Sequence, residues 1–179
     1  MKRWRTGMVL GATLMLAQAG FAGSRVPNST ESAVEQHVRT ELVTLPFYNL
    51  FDSFSFRVDG DTVTLAGKVT QPTLKTDAER VVKRVEGVKT VRNQIEVLPL
   101  SPNDDRLRLS LYRAIYGHTV LQTLAIRAVP PIHIIVENGN VTLEGAVLNS
   151  MEKTVAGMQA NAVPGVFSVT NNLAVDSES

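Results

Sequence analysis

The chain has 179 residues, of which 44% are hydrophobic and 20% are charged, so it can form one ordinary domain or two small ones and does not have the composition of a disordered or fibrous protein. It contains no cysteine, which excludes thiol catalysis, thiolate metal sites, disulfides and a lipid-modified cysteine. Its 18 basic and 17 acidic residues give a formal net charge of +1.

The first 22 residues have the pattern of a secretory signal peptide. Lys2, Arg3 and Arg5 precede an uncharged, apolar run over residues 7–22 that ends in small residues suited to a signal peptidase. About sixteen apolar residues fall short of the roughly twenty that span a bilayer, so cleavage is favoured over a membrane anchor. We expect a periplasmic or secreted mature protein. Removal of the three basic residues leaves a net charge of −2, which does not favour a nucleic-acid partner.

The rest of the chain repeats itself at an offset of 78 residues. Residues 54–97 align with residues 132–175 without a gap, and 15 of the 44 aligned pairs are identical. Several identities alternate with polar residues, as Val63, Leu65 and Val69 do, and this period of two is typical of a half-buried strand. The repeat therefore predicts two similar units of about 75 residues.

The predicted units are joined by a short linker. The first unit spans residues 28–98 and the second spans residues 104–176, with Pro99 and Pro102 in the linker at 99–103. Because each unit has a complete set of elements, we expect the two to fold independently.

Apolar spacing predicts helix, strand, strand, helix and strand in the first unit. Val34, Val38 and Leu42 are four residues apart and form one helical stripe, and Gly87 is expected to end the second helix. The predicted elements are helices over residues 30–45 and 72–85 and strands over 54–58, 63–69 and 91–97.

The second unit begins with a predicted helix over residues 105–116. We expect Asn103 or Asp104 to cap this helix and Gly117 to end it. The segment over residues 118–128 is rich in leucine and alanine, and both a helical extension and a packed loop are compatible with it.

Each unit is thus predicted to be a small α/β sandwich of the α+β class, with a three-stranded sheet covered by two helices. The hairpin turn contains Gly60 in the first unit and Gly139, one position later in the repeat, in the second. The two turns should therefore differ in conformation while the flanking strands stay equivalent.

Both units resemble BON domains, a module named after bacterial osmotically induced and nodulation proteins. The resemblance rests on Val-Thr-Leu-Ala-Gly at 63–67 and Val-Thr-Leu-Glu-Gly at 141–145, each followed about 20 residues later by Gly-Val and a second valine-rich strand. It implies a non-catalytic exported or envelope module that attaches to phospholipid membranes and is linked to envelope or osmotic stress. It implies no catalytic residue and no cofactor.

The glycines shared by the two units are interpreted as structural. Gly67 and Gly145 lie in strands, where we expect a close backbone approach. Gly87 and Gly165 are expected to stop a helix with a positive φ.

No enzyme or metal constellation stands out. The three histidines, His37, His118 and His133, do not have metal-ligand spacing. His133 alternates with apolar residues and is expected to be a solvated strand residue. The acidic turn at residues 59–61 lacks the other ligands of a calcium loop and is interpreted as a hairpin turn.

The second helices of the two units differ in charge. Five basic residues of the first unit are replaced by uncharged ones in the second, so the basic cluster is either an anionic-lipid site or a solvated mixed-charge face. The apolar replacements are either a contact surface or singly tolerated residues. The replacements are Arg80 by Met158, Lys83 by Asn161, Arg84 by Ala162, Lys89 by Phe167 and Arg92 by Thr170.

The first helix of the second unit is the other candidate surface. Tyr112 and Tyr116 are four residues apart and are surrounded by Arg106, Arg108 and Arg113. Tyrosines among arginines suit a membrane interface, although packing of both rings over the sheet edge is equally compatible with the spacing.

Two functions are compatible with these features, namely docking on a phospholipid membrane surface and protein scaffolding through an envelope protein partner. In both, the predicted contact residues lie in the second unit. They are Arg106, Arg108, Tyr112, Arg113, Tyr116, Met158 and Phe167.

Overall fold

The computed structural model describes residues 33–127 and 129–176, so the predicted signal peptide and the start of the first helix lie outside the described residues. The chain forms two α+β units of the same order. The first unit contains α1 (Ala33–Val43), β1 (Ser53–Asp59), β2 (Thr62–Val69), α2 (Pro72–Val82), β3 (Thr90–Asn93) and β4 (Glu96–Val97). The second contains α3 (Pro102–Tyr116), a short 3-10 helix (Gln122–Ile126), β5 (Ile132–Glu137), β6 (Asn140–Val147), α4 (Ser150–Asn161), β7 (Ser168–Asn171) and β8 (Ala174–Val175).

Each sheet is mixed, with the second strand of the hairpin at its centre. β2 pairs antiparallel with β1 and parallel with β3 and β4, and β6 does the same with β5, β7 and β8. The last predicted strand is therefore present but interrupted. Asn93 explains the break, because its side-chain oxygen accepts from the Ile95 N–H at 3.1 Å while its amide donates to the Lys75 carbonyl of α2 at 2.9 Å. Asn171 makes the equivalent bonds in the second unit.

Each unit has its own hydrophobic core between the sheet and its two helices. The predicted helical stripes face these cores, which confirms their orientation. The buried apolar helix residues are Val38, Leu42, Leu74, Ala78 and Val82 in the first unit and Leu107, Leu111, Ile115, Tyr116, Ala156 and Ala160 in the second.

The start of α3 differs from the prediction. Ser101, rather than Asn103 or Asp104, is the N-cap, and its hydroxyl oxygen accepts from the Asp104 N–H at 3.2 Å. Pro102 occupies the first turn, where a backbone N–H has no helical partner. Pro102 thus belongs to the helix rather than to a linker.

The two hairpin turns differ, as predicted. In the first turn Gly60 has a φ of 64°, whereas in the second both Asn138 (φ 51°) and Gly139 (φ 78°) are left-handed. The flanking strands remain in equivalent register, with Val58 opposite Val63 and Val136 opposite Val141.

Gly67 and Gly145 allow the predicted close approach of two backbones. A Cβ at Gly67 would overlap the Ser53 carbonyl oxygen, and a Cβ at Gly145 would overlap that of Pro131. Both glycines also have a positive φ, of 127° and 113°.

Gly87 and Gly165 have the predicted positive φ, at 92° and 91°. However, they do not end the helices. α2 ends at Val82 and α4 at Asn161, and in each unit a short turn separates the helix from the glycine.

The two units contact each other along the segment 48–53, which links α1 to β1. The Ile134 N–H donates to the Leu50 carbonyl at 2.7 Å, and Leu50 and Phe51 pack against the core of the second unit. The Ser53 hydroxyl is hydrogen-bonded to Glu144, and Lys68 pairs with Glu137. We call this contact the joint. On the first unit it is formed by segment 48–53 and Lys68, and on the second unit by the outer side of β5 and β6.

The joint covers the face of the second sheet that points away from its helices. Ile135 lies on that face, because it alternates with the core residues Ile134 and Val136, yet it is only 3% exposed. His133 lies on the same face and stacks on Tyr48, with 5.6 Å between ring centroids. The prediction of a solvated His133 is therefore wrong, since the first unit covers the side chain.

Candidate functional site

The largest difference between the two units is on the outer side of their second helices. One side of α4 bears Met151, Val155, Met158 and the C-cap residue Ala162, which are spaced by four, three and four residues. Val155 also packs partly against the core. The Met151 and Met158 side chains are 66% and 64% exposed. We call these four residues the apolar stripe of α4.

The equivalent stripe of α2 is polar and charged. It consists of Thr73, Asp77, Arg80 and Arg84, and Arg80 forms an ion pair with Asp77. Because the first unit folds with polar and charged residues on this side of the helix, the fold does not require apolar residues there.

Two further basic residues of the cluster, Lys83 and Lys89, are also paired. The Lys83 ammonium lies 2.6 Å from a Glu79 carboxylate oxygen, and Lys89 lies 3.0 Å from Asp61. Hydrogen bonding to Lys83 lowers the pKa of Glu79, and that to Lys89 lowers the pKa of Asp61. These contacts favour the solvated mixed-charge interpretation of this cluster over an anionic-lipid site.

Phe167 lies after α4 and is 81% exposed, although its backbone is held in place. Its N–H donates to the Gly139 carbonyl at 2.9 Å, and its ring lies against the backbone of the same glycine. Asp104 anchors this turn, since its carboxylate accepts from the N–H groups of Asn138 and Gly139 at 2.9 Å each. The aromatic ring is thus presented from a fixed position.

Tyr116 is buried and is not a contact residue. Its hydroxyl donates to the Ile132 carbonyl at 2.7 Å and accepts from the Ile132 N–H at 3.0 Å. Burial raises the pKa of this hydroxyl. The packing alternative is therefore correct for Tyr116, whereas Tyr112 remains 36% exposed beside it.

Arg108 is likewise structural rather than a membrane contact. Its guanidinium donates to the Val136 carbonyl at 2.7 Å and to Asp105 at 2.5 Å, and its side chain is buried. Arg106 and Arg113 are exposed and lie on one side of α3, because they are seven residues apart. The helix that bears these two arginines, α3, packs beside α4 in the second unit.

The sequence prediction missed Met151, which extends the exposed surface by two turns from Met158. Its spacing of seven residues from Met158 and four from Val155 was a usable signal. Leu109 on α3 and Leu148 before α4 are also exposed.

The described residues contain no group of three or more histidine and acidic side chains arranged to hold a metal ion. His37 is exposed, and the ring of His118 accepts from the Val120 N–H at 3.3 Å. Within residues 33–127 and 129–176, each helix is too short or too polar to cross a membrane.

The profile of the BON domain family matches residues 30–99 and 118–177. The chain belongs to this family, with two BON domains in tandem. The second match starts after α3, so the arginines and tyrosines of that helix lie outside it.

Two solved structures of a type III secretion protein from Chlamydia trachomatis are similar to the chain. The C-terminal domain of CdsD is 15% identical, with a TM-score of 0.29, over 82% of this chain and 99% of that one. A second CdsD structure is 15% identical, with a TM-score of 0.28, over 78% of this chain and 90% of that one. No curated protein sequence matches the chain.

Proposed function

We propose that this protein is a non-catalytic, envelope-associated BON-domain protein that docks on phospholipid membrane surfaces through its second unit and serves envelope maintenance or the stress response. Membership of the BON family supports the coarser part of this proposal. The observation that carries the finer part is the apolar stripe of α4, which replaces a charged stripe on the equivalent helix of the first unit.

The chemistry of this surface suits the interface of a bilayer. Met151, Met158 and Phe167 can enter the boundary between headgroups and acyl chains, while Arg106 and Arg113 pair with phosphate groups. Burying parts of three apolar side chains contributes only a few kcal/mol before the loss of orientational freedom. Binding should therefore be weak and reversible, and salt should weaken it without abolishing it, because only the arginine contribution is screened.

Flotation of the mature protein with phospholipid vesicles tests this function. The variant Met151→Gln with Met158→Gln should reduce the vesicle-bound fraction about tenfold, since it removes the central apolar contacts. The matched control is Leu100→Gln with Ile126→Gln, which removes two even more exposed apolar side chains that do not belong to the stripe. Equal loss in both variants would contradict a docking role for the stripe.

The charge contribution has a separate test. Arg106→Glu with Arg113→Glu should abolish any preference for anionic over neutral vesicles, while Arg84→Glu with Arg92→Glu in the first unit should leave it unchanged. Both pairs are exposed, so folding should not change. Failure of the unaltered protein to float with either vesicle would overturn the lipid proposal and favour a protein scaffold, since the same apolar surface also fits a protein partner.

A further inference from the structure

His133 occupies a largely covered position at the centre of the joint. Its ring stacks on Tyr48, and its Nε2 lies 3.5 Å from the Tyr48 hydroxyl oxygen. Its Nδ1 is buried and has no hydrogen-bond partner among the described residues. A proton on Nδ1 would therefore be shielded from water in the closed joint.

The acidic groups near His133 are already engaged. Asp52 is fully buried, and its carboxylate accepts from the Thr70 N–H at 2.6 Å, the Thr70 hydroxyl at 2.8 Å and the Asn49 N–H at 3.2 Å. On β6, the Glu144 carboxylate is hydrogen-bonded to the Ser53 hydroxyl. Neither carboxylate makes a direct ion pair with the imidazole among the described contacts.

Burial is the main influence on the protonation of His133. It lowers the pKa of His133, while the carboxylates of Glu144 and Asp52 and the backbone carbonyls of Asp52 and Asn49 oppose it only in part. Tyr48 stays neutral, because burial raises the pKa of its hydroxyl. The remaining charged groups of the joint, Lys68 with Glu137 and Glu96, form their own cluster.

We propose that the joint is an acid-sensitive latch, in which proton uptake by His133 releases segment 48–53 of the first unit from β5 of the second. Two contacts explain why protonation of His133 should release segment 48–53. Its ring contacts Tyr48 of the segment directly, and the adjacent Ile134 N–H bonds to the Leu50 carbonyl of the same segment. Opening the joint would give His133 access to water, so the open form binds a proton more readily than the closed form.

The direction of the pH dependence follows from linkage. In the open joint His133 has its ordinary pKa of about 6.5, whereas in the closed joint its pKa is lower. Acid therefore has no effect well above pH 6.5 and favours opening below it, until the closed form is also protonated. Between pH 7.5 and pH 5.5 the open population should rise by at most about tenfold, the limit for a closed form that stays unprotonated throughout.

Amide hydrogen exchange of the full chain measures opening directly. The Ile134 N–H crosses the joint, whereas the Leu98 and Asn172 N–H groups bond within the first and second sheets at 2.8 and 2.9 Å. After correction for the intrinsic exchange rate, the protection of Ile134 should fall from pH 7.5 to pH 5.5 by up to about tenfold. The protection of Leu98 and Asn172 should change much less.

Two variants separate the latch from a general effect of acid. His133→Phe keeps a ring against Tyr48 but cannot titrate, so Ile134 should lose its pH dependence. His37→Gln removes an exposed histidine of α1 and should behave as the unaltered chain. Constant protection of Ile134 across this pH range, or an unchanged pH dependence in His133→Phe, would overturn the proposal.

A direct titration covers the case in which His133→Phe does not fold. The ring resonances of His133 in the unaltered protein should titrate with a midpoint below 6.5. A midpoint at or above 6.5 would mean that the closed joint does not disfavour the proton, and the latch would be excluded.

Discussion

Three polar side chains of α3 satisfy the backbone of the second hairpin. Tyr116 bonds to both backbone groups of Ile132, Arg108 bonds to the Val136 carbonyl, and Asp104 binds the turn after β5. β5 is an edge strand, so its outward N–H and C=O groups would otherwise lack partners. Tyr116 and Arg108, which the sequence analysis assigned to a contact surface, thus supply hydrogen bonds to the edge strand β5.

Tyr116→Phe should destabilise the second unit by about 1–3 kcal/mol, because the buried N–H and C=O of Ile132 lose their partner. Denaturant unfolding followed by circular dichroism measures the change. Tyr112→Phe is the matched control and should cost little, since its ring is partly exposed. Equal effects would mean that the Tyr116 hydroxyl has no special role.

Gly145→Ala should cost about 2 kcal/mol or more, because the new Cβ overlaps the Pro131 carbonyl oxygen at a positive φ. Gly60→Ala provides the comparison. Gly60 also has a positive φ, but open space surrounds it, so only the backbone cost of about 1–2 kcal/mol applies. Thermal unfolding of both variants should rank Gly145→Ala as the less stable.

At the scale of elements, α2 and α4 share their core contacts but differ in the chemistry of their outer sides. Ala78 and Ala156 face the cores at equivalent positions, and Asn93 and Asn171 each bond to a carbonyl of the helix above. The repeat thus preserves contacts that the fold needs. The outer sides have diverged, since folding places no demand on their chemistry beyond solubility.

The N-cap of α3 offers a test at this scale. Ser101→Ala removes the oxygen that accepts from the Asp104 N–H and should cost about 1 kcal/mol. Ser110→Ala, at an exposed position within the same helix, should have little effect or stabilise slightly, since alanine has the higher helix propensity. Denaturant unfolding compares the two, and a larger loss for Ser110→Ala would contradict the assigned cap.

At the scale of the whole molecule, the two units share more than a linker. Each has a core of its own, which supports the prediction that both halves unfold cooperatively when they are expressed separately. However, Leu50 and Phe51 of the first unit pack on the core of the second. Ile135 lies between His133 and Glu137 on one face of β5, and both of these neighbours contact the first unit.

The second half alone, starting at Pro99, should melt several degrees below the same unit in the full chain, because it loses the contacts of Leu50 and Phe51 and exposes Ile135. Differential scanning calorimetry of both proteins measures the difference. Leu50→Ala in the full chain should lower the stability of the second unit in the same direction. An isolated second half that is as stable as in the full chain would show that the joint contributes nothing to folding.

The sequence alone determined the repeat, the order of elements, the core stripes and the different hairpin turns. It also determined which glycines have a positive φ or allow a close backbone approach. These features follow from local rules, since apolar spacing, turn chemistry and the steric freedom of glycine act within a few residues. Tertiary structure decided which polar and apolar residues are accessible. Tyr116, Arg108 and His133 are covered by β5 or by the other unit, whereas Met151 and Met158 are not. Burial of this kind depends on partners distant in the chain, and neither periodicity nor a repeat contains that information.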